Sequence, residues 1–320
     1  MSDSVVRLAV VGVGHLGRLH ARAGASLPGV QVIGVHDHHE GRAAEVAREL
    51  ALRVLPSLED VAREADAVVL ATPTVSHAEL ASYFMDRGKD VLIEKPMTAT
   101  LAEAEALLER ARRGGRVMAV GHIERHNPAF EAALSIVESP RFVEAHRLAV
   151  FTPRSLDVDV VLDLMIHDLQ LVLALVGSPV REIRAAGIPV LTSRLDIANA
   201  RIAFEGGCVA NLTASRVSSG RTRKCRIFAS ALYVSVDLQA RTLAAFRLSR
   251  ERAQPEIVPV PVEVPSGDPL ARELSDFARA VRERGRPLVS GEEGRDALVL
   301  AHQVLEAIEE HRRSVEGASA

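Results

Sequence analysis

The chain has 320 residues, 48% of them hydrophobic and 25% charged, which is enough for two packed domains of ordinary globular composition. A net charge of −3 and an aromatic content of 3%, with no tryptophan, argue against nucleic-acid binding, which needs basic surface and stacking rings. The most apolar stretch, residues 160–176, contains Asp163, His167 and Asp168, so it predicts a buried helix and no membrane span. Only two cysteines and an N-terminus unlike a secretory signal favour a cytoplasmic protein.

Short β-branched runs alternate with longer amphipathic segments up to residue 122. This alternation is typical of βαβ units around a doubly wound parallel sheet. The predicted strands are Val5–Val11, Val30–Val35, Ala67–Ala71, Asp90–Ile93 and Val117–Val120. The predicted helices between them are Leu16–Ser26, Arg42–Leu50, Val75–Arg87 and Leu101–Arg113. We therefore expect an α/β domain over residues 1–122.

From residue 123 onward the strand-like runs follow one another without long helices between them. Glu205-Gly206-Gly207 separates two of these runs and is typical of a hairpin. The runs are Phe142–Val150, Glu182–Val190, Ala198–Phe204, Cys208–Ala214, Cys225–Phe228 and Tyr233–Leu238. Further helices are predicted at Pro128–Glu138, Val160–Val176, Pro269–Arg284 and Glu292–Arg312. Residues 123–320 are thus predicted to form an α+β domain with a mostly antiparallel sheet.

A glycine-rich turn, Gly12-Val13-Gly14-His15-Leu16-Gly17, joins the first predicted strand to the first helix. Glycines there allow a tight turn and a close backbone approach to a pyrophosphate, although such a turn can also be purely structural. Asp37 follows 20 residues after the turn, where a carboxylate can accept hydrogen bonds from ribose hydroxyls. It would repel a 2′-phosphate, and no arginine follows it directly, so the site is predicted to bind NAD rather than NADP in a Rossmann domain. The next residue, His38, is also predicted to contact the cofactor.

The cluster His36-Asp37-His38-His39 contains metal-ligating residue types. Neighbouring side chains at the end of a strand point to opposite faces and converge poorly on one ion. We therefore predict a solvated loop and no metal.

Two more strand ends carry polar motifs at the edge where doubly wound sheets bind ligands. Ala71-Thr72-Pro73, with His77 on the next helix, is predicted to line the cofactor cleft; the alternative is an ordinary turn with cap residues. Glu94-Lys95-Pro96 follows the next strand. Lys95 would lie near the nicotinamide, where it can hold a substrate hydroxyl or take its proton; the alternative is a surface salt bridge of Glu94.

The predicted helix Val160–Val176 carries Asp163, His167 and Gln170 at i, i+4 and i+7, a spacing that stacks them on one face. Polar groups on an apolar helix need partners, so this face predicts a polar cleft. His167 is predicted to transfer a proton or bind a hydroxyl, with Asp163 as a second substrate contact. The alternative is a core histidine bonded to Asp163.

Residues 121–127, Gly-His-Ile-Glu-Arg-His-Asn, connect the two predicted domains. Arg125 can clamp a phosphate or carboxylate bidentately, and it can equally tie the two domains together. Asn127, which can cap the following helix, is counted with Arg125 among the predicted substrate contacts.

Four of these motifs occur together in one known family. They are Gly12–Gly17, Thr72-Pro73 with His77, Glu94-Lys95-Pro96, and Asp163 with His167. In this combination the chain resembles the glucose–fructose oxidoreductase, inositol dehydrogenase and MocA (Gfo/Idh/MocA) family over essentially its whole length. The resemblance implies that Lys95 and His167 are the catalytic pair, that Asp163 contacts the sugar, and that an open face of the second sheet forms homo-dimers or homo-tetramers.

Within that family, residues 121–128 and 163–168 are most similar to UDP-N-acetylglucosamine 3-dehydrogenases. This similarity implies NAD-dependent oxidation of a sugar-nucleotide 3-hydroxyl to a ketone that an aminotransferase then uses. His126 replaces an expected Phe, and Gln170 replaces an Asp of many members. Oxidation of inositol or another free polyol is the alternative, and a cofactor-sensing regulator is a third hypothesis that the proton-transfer residues argue against.

Overall fold

The computed structural model describes residues 5–152, 158–250 and 254–318. These residues form two compact units. The first comprises Met1–His126 with Gly267–Arg295, and the second comprises Asn127–Ser266 with Asp296–Ala320. The predicted division into domains 1–122 and 123–320 stays a prediction.

The first unit is built on a five-stranded, all-parallel sheet, as predicted. Its strands are β1 (Val6–Val11), β2 (Val30–His36), β3 (Ala67–Leu70), β4 (Asp90–Glu94) and β5 (Met118–Gly121), in the order β2-β1-β3-β4-β5. Every residue of β3 is buried, so both faces of the sheet are covered. The strand order reverses between β1 and β3, and ligands of such sheets bind at the carboxyl ends of these strands.

The helices of this unit lie where the sequence patterns predicted them, to within two residues at each end, and one further helix is added. They are α1 (His15–Ala25), α2 (Glu40–Leu50), α3 (Leu58–Glu64), α4 (His77–Asp86), α5 (Leu101–Gly114) and, after the second unit, α8 (Pro269–Glu283). α3 was not predicted, because its seven residues are too few for a clear helical period. α5 begins with a capping box formed by Thr100 and Glu103.

The second unit contains an eight-stranded sheet, antiparallel except for one pair, as the sequence predicts. The strands are β6 (Phe142–Leu148), β7 (Val180–Ile188), β8 (Ile197–Phe204), β9 (Val209–Ser215), β10 (Thr222–Ala229), β11 (Leu232–Asp237), β12 (Thr242–Ser249) and β13 (Glu256–Val260). Their order is β13-β12-β11-β10-β6-β9-β8-β7. β12 and β13 were not predicted; Pro259 in β13 is tolerated because that strand lies at the sheet edge.

Three further helical segments belong wholly to the second unit. α6 (Pro128–Leu134) is shorter than predicted, and Val161–Met165 form a turn of π-helix that leads directly into α7 (Ile166–Val176). A buried ion pair fixes α7 to β6, because Arg147 Nε and Nη2 donate to the two oxygens of Asp168 at 2.9 and 2.8 Å. The sequence predicts one regular helix over 160–176. In the structure, a π-helical turn that contains Asp163 precedes the regular helix α7.

The longest helix, α9 (Gly291–Ala318), has its first residues in the first unit and the rest in the second. Its 28 residues are amphipathic, with the buried side chains of Leu298, Ala301 and Val304 spaced three residues apart. Within the described ranges, no helix combines the length and apolarity that a membrane span requires.

Candidate active site

The glycine turn between β1 and α1 is closed too tightly for side chains at two of its three glycines. Gly12 has φ +82°, and a Cβ built there would lie 2.7 Å from Thr72 Cγ2. A Cβ on Gly17 would lie 1.8 Å from the Gly12 carbonyl oxygen. At Gly14 the same construction meets nothing within 4 Å, so this backbone faces open space. The turn is thus tight at Gly12, packed closely against the start of α1 at Gly17, and open at Gly14. A dinucleotide pyrophosphate needs these three properties of the turn.

Asp37 lies at the end of β2 beside this turn. It is 6% exposed and accepts hydrogen bonds from the backbone amides of Val13 and His39, both at 2.9 Å. Burial alone would raise the pKa of Asp37, but these amides and the Arg42 guanidinium, 3.4 Å away, outweigh it and lower the pKa. The carboxylate is therefore ionised and fixed in place. Arg42 was missed because it follows Asp37 by five residues rather than directly.

The three histidines around Asp37 go to separate places. His36 Nδ1 lies 2.9 Å from the carbonyl oxygen of Leu55, and His39 Nδ1 accepts from the amide of Arg42 at 3.3 Å as the N-cap of α2. The side chain of His38 is 88% exposed and lies 3.4 Å from Asp37. Each ring thus has a local role or faces solvent.

A cavity of about 320 Å³ opens beside Gly12 and Asp37. Its other walls are mostly apolar and are formed by Leu58, Leu80 and Val75, the last of which is 80% exposed. An apolar slot ending at a fixed carboxylate suits an adenosine, whose ring is flat and whose ribose carries the hydroxyls. Sequence reasoning missed these walls, because Leu58 begins the unpredicted α3.

Thr72 and His77 hold the neighbouring turn. Thr72 Oγ1 accepts a hydrogen bond from the hydroxyl of Ser76 at 2.8 Å. The ring of His77 is 1% exposed. Its Nε2 lies 2.9 Å from the carbonyl oxygen of Thr72, and its Nδ1 lies 3.0 Å from that of Pro96. Burial lowers the pKa of His77. His77 therefore links the turns after β3 and β4. The cofactor contacts of Ala71, Thr72, Pro73 and His77 stay a prediction.

Lys95 follows β4 at the same edge and has an anionic neighbour. Glu94 is 7% exposed; its Oε1 lies 2.7 Å from His20 Nε2, and its Oε2 accepts from the Lys95 backbone amide at 3.1 Å. The predicted alternative of a surface salt bridge to an arginine does not describe Glu94, because Glu94 is buried and contacts His20 and the Lys95 amide. Lys95 itself is half-buried.

The segment after β5 brings two buried imidazoles into the first unit. His122 is 1% exposed, and burial together with the charge of Lys95 lowers its pKa to about 3. His126 is 5% exposed, and mainly burial lowers its pKa to about 4. Both rings are neutral at physiological pH. Arg125 between them is half-buried, and its predicted substrate contact stays a prediction.

In the second unit, Asp163 lies in the π-helical turn and His167 in the first turn of α7. Both are half-buried, whereas Gln170 is 2% exposed. π-Helical turns occur frequently at functional sites, because the extra residue redirects side chains. Asn127 is buried, accepts from the Ala129 amide as the N-cap of α6 and donates to the carbonyl oxygen of Leu238. These contacts are structural; its predicted substrate contact is not tested by them.

Comparison with known proteins matches both halves of the chain to one family. Residues 6–122 match the model of the oxidoreductase family with an NAD-binding Rossmann fold (GFO_IDH_MocA), and residues 136–233 match the GFO/IDH/MocA C-terminal domain. The UDP-N-acetylglucosamine 3-dehydrogenase of Acidithiobacillus ferrooxidans is 41% identical over 307 residues, which are 95% of this chain and 97% of that protein. The chain belongs to the GFO/IDH/MocA family.

Two further comparisons support this GFO/IDH/MocA assignment. The solved structure of the A. ferrooxidans enzyme, GnnA, superposes with a TM-score of 0.87 and covers 96% of this chain and 98% of that one. The scyllo-inositol 2-dehydrogenase (NAD(+)) of Bacillus subtilis is 30% identical over 67% of this chain and 68% of that protein. The family makes this chain an oxidoreductase with NAD as its cofactor, and Gly12, Gly14, Gly17 and Asp37 fit that dinucleotide.

The open space at Gly14 gives a direct test of this fit. We expect Gly14→Ala to leave the melting temperature unchanged and to weaken NAD binding at least about 10-fold, because the new methyl group occupies the space that the pyrophosphate needs. Titration calorimetry measures the affinity. Gly220→Ala is the matched control, since a Cβ at Gly220 also meets nothing within 4 Å. Equal NAD affinity in both variants would contradict the assignment of the turn.

Proposed function

We propose that this protein oxidises the 3-hydroxyl of a UDP-N-acetyl-hexosamine, UDP-N-acetylglucosamine in the first place, to the 3-keto sugar nucleotide. The supporting observation is the 41% identity, over 95% of the chain, to an enzyme named for that reaction. Residues 121–128 and 163–168, which carried the resemblance, belong to the segments that the proposal assigns to the substrate. The keto product is suited to an aminotransferase, the proposed next enzyme.

Three side chains are assigned to the chemistry. Lys95 binds the reacting hydroxyl from the first unit, His167 accepts the hydroxyl proton, and Asp163 holds a neighbouring sugar hydroxyl. When NAD is bound, its nicotinamide accepts the hydride from the same carbon. Arg125 is assigned to a phosphate of the nucleotide, because a guanidinium binds phosphate oxygens bidentately. The meeting of Lys95 with His167 over one substrate is itself part of the proposal.

Oxidation of inositol is the second candidate, favoured by the 30% identity to the B. subtilis scyllo-inositol dehydrogenase. A panel of UDP-N-acetylglucosamine, UDP-N-acetylgalactosamine, UDP-glucose, myo-inositol and scyllo-inositol separates the two. We expect NADH absorbance to rise with the N-acetylated sugar nucleotides and not with the inositols. Turnover of an inositol alone would replace the proposed substrate and leave the oxidoreductase assignment intact.

The role of Lys95 predicts a loss of turnover without a loss of cofactor binding. Lys95→Met should lower kcat by about 10²- to 10⁴-fold, the range for a lost proton-transfer or hydroxyl-binding group, while NAD affinity stays within error. Lys89→Met, at the opposite end of β4, is the control and should keep wild-type kcat. Steady-state kinetics and calorimetry report the two quantities. A Lys95→Met enzyme with wild-type kcat would exclude the assigned role.

The proposal includes a homo-oligomer formed by the second sheet. Four aromatic rings on β6, β10, β11 and β12 follow one another with centroids 5.9, 5.1 and 6.3 Å apart: Phe142, Phe228, Tyr233 and Phe246. On β13, Ile257 lies opposite Leu248, two residues after Phe246, and is 73% exposed. Contiguous apolar surface of this kind favours association with a second copy of the chain.

Light scattering after size exclusion tests the oligomer. We expect the wild type to be a dimer or tetramer, and Phe246→Arg with Ile257→Arg to shift it to monomer, since two charges would be buried at the contact. Val54→Arg, an exposed apolar position of the first unit, is the control. A monomeric wild type would contradict the proposal.

Two buried free thiols, Cys208 and Cys225, support the proposed cytoplasmic location.

A further inference from the structure

Three buried side chains of the first unit come together next to Lys95. His20 extends from α1, Glu94 ends β4, and Glu273 extends from α8. They are 0%, 7% and 3% exposed, and one polar atom of each lies within 4.8 Å of the other two. Neither the sequence motifs nor the proposed function assigns a role to Glu273.

Within this cluster, which we call the His20–Glu94–Glu273 triad, Glu94 carries the negative charge. Burial alone would raise the pKa of Glu94, but the hydrogen bond and charge of His20 and the charge of Lys95 outweigh it and lower the pKa. Both carboxylate oxygens are used, one by His20 Nε2 and the other by the Lys95 amide. The ionised Glu94 thus fixes the backbone at Lys95.

Glu273 is in the opposite situation. Among the described residues, neither of its oxygens has a hydrogen-bond partner. Burial first, and then the negative charges of Glu94 and Asp276, raise the pKa of Glu273 well above the usual 4.5. An ionised carboxylate without donors is costly in a buried place, whereas the neutral acid is tolerated.

α1, β1 and the segment Ile123–His126 pack against α8. α1 carries His20 of the triad, the exposed His15, and Arg18 and Arg22, which are paired with Glu45 and Glu49. On α8 itself, Asp276 is already paired with Arg279. The segment Ile123–His126 carries Glu124, Arg125 and a His126 ring that is neutral above about pH 4. β1 adds apolar side chains to the core shared with α8, and its one charged residue, Arg7, is paired with Asp66 at the surface.

We propose that Glu273 is a positioning residue for Lys95: it keeps its proton at neutral pH, so that Glu94 alone supplies the negative charge of the triad. This inference rests on the proposed role of Lys95. A second carboxylate in the triad would compete with Glu94 for His20 and would repel the charge of Glu94. The neutral Glu273 therefore leaves Glu94 bonded to His20 and to the Lys95 amide, which holds Lys95 in place to bind the substrate hydroxyl.

A divalent cation is the other occupant that one imidazole and two carboxylates can bind. The contacts favour the proton. His20 Nε2 already lies at hydrogen-bond distance from Glu94, and metal ligands are normally held by outer hydrogen bonds. In the described part of the chain, His20 Nδ1 and both oxygens of Glu273 have no hydrogen-bond partner that could hold them as metal ligands.

The first test is the pH dependence of stability in the full chain, with Glu273→Gln as the permanently neutral variant of equal size. In the unfolded chain, Glu273 ionises once the pH exceeds its usual pKa, whereas in the folded chain it still binds a proton. The free energy of unfolding of the wild type therefore falls as the pH rises towards the raised pKa of the folded state. The unfolding constant of the wild type, relative to that of Glu273→Gln, should rise about 10-fold per pH unit above pH 5. Urea unfolding between pH 5 and 8 measures it. Glu283→Gln, on the exposed end of α8, should show no such slope.

The second test needs no variant to fold. Infrared spectra of the wild type at pH 7 should contain the band of a protonated carboxyl group. Absence of this band overturns the proposal. In the first test, a Glu273→Gln variant that is less stable than the wild type by the same factor at every pH also overturns it. One equivalent of divalent metal in the purified wild type, found by mass spectrometry and lost in Glu273→Gln, would replace the proton by a metal site.

The functional readout is the pH profile of kcat. Wild-type kcat should fall on the alkaline side as Glu273 ionises, and this fall should shift to higher pH in Glu273→Gln; Glu283→Gln should keep the wild-type profile. Identical alkaline limbs in the wild type and Glu273→Gln would contradict the positioning role. Stability and infrared measurements involve no sugar, so a wrong substrate assignment leaves them interpretable.

Discussion

The close approach of α1 to the end of β1 is the constraint on which the cofactor side of the site depends. No side chain fits at Gly17, because the Gly12 carbonyl oxygen occupies the place of its Cβ. The start of α1 is thereby fixed against the turn, with its amides directed towards the open space at Gly14. Three residues further along the same helix, His20 is buried and meets Glu94. One steric contact thus positions both the glycine turn and the histidine that contacts Glu94.

Charge is distributed unevenly along the carboxyl edge of the sheet. Asp37 and Glu94 are both buried and both ionised, because backbone amides and a cationic or imidazole partner outweigh the cost of burial. Glu273 lacks such donors and is neutral. Hydrogen-bond donors rather than residue type therefore decide which acid is charged, and one fixed carboxylate lies beside the glycine turn and another beside Lys95.

The residues that we propose to contact the substrate lie in a less regular part of the chain. Asp163 lies in a π-helical turn, and one turn further the Arg147–Asp168 pair fixes α7 to the sheet. An irregular turn anchored by a buried ion pair can hold a polar side chain in an orientation that a regular helix would not give it. Asp163 and His167 thus lie on either side of the junction between the π-helical turn and α7.

Local patterns determined the parallel and antiparallel sheets, the glycine turn with Asp37, and the Lys95 motif, because strand alternation, glycine spacing and strand-end position are properties of neighbouring residues. They also gave the family resemblance. Only the tertiary structure joined Glu273 to Glu94 and His20, since these residues come from three distant segments and no local pattern relates them. The same holds for Arg42 beside Asp37 and for the apolar wall begun by Leu58. Burial and the supply of donors, which decide whether an acid keeps its proton, exist only after the chain has folded.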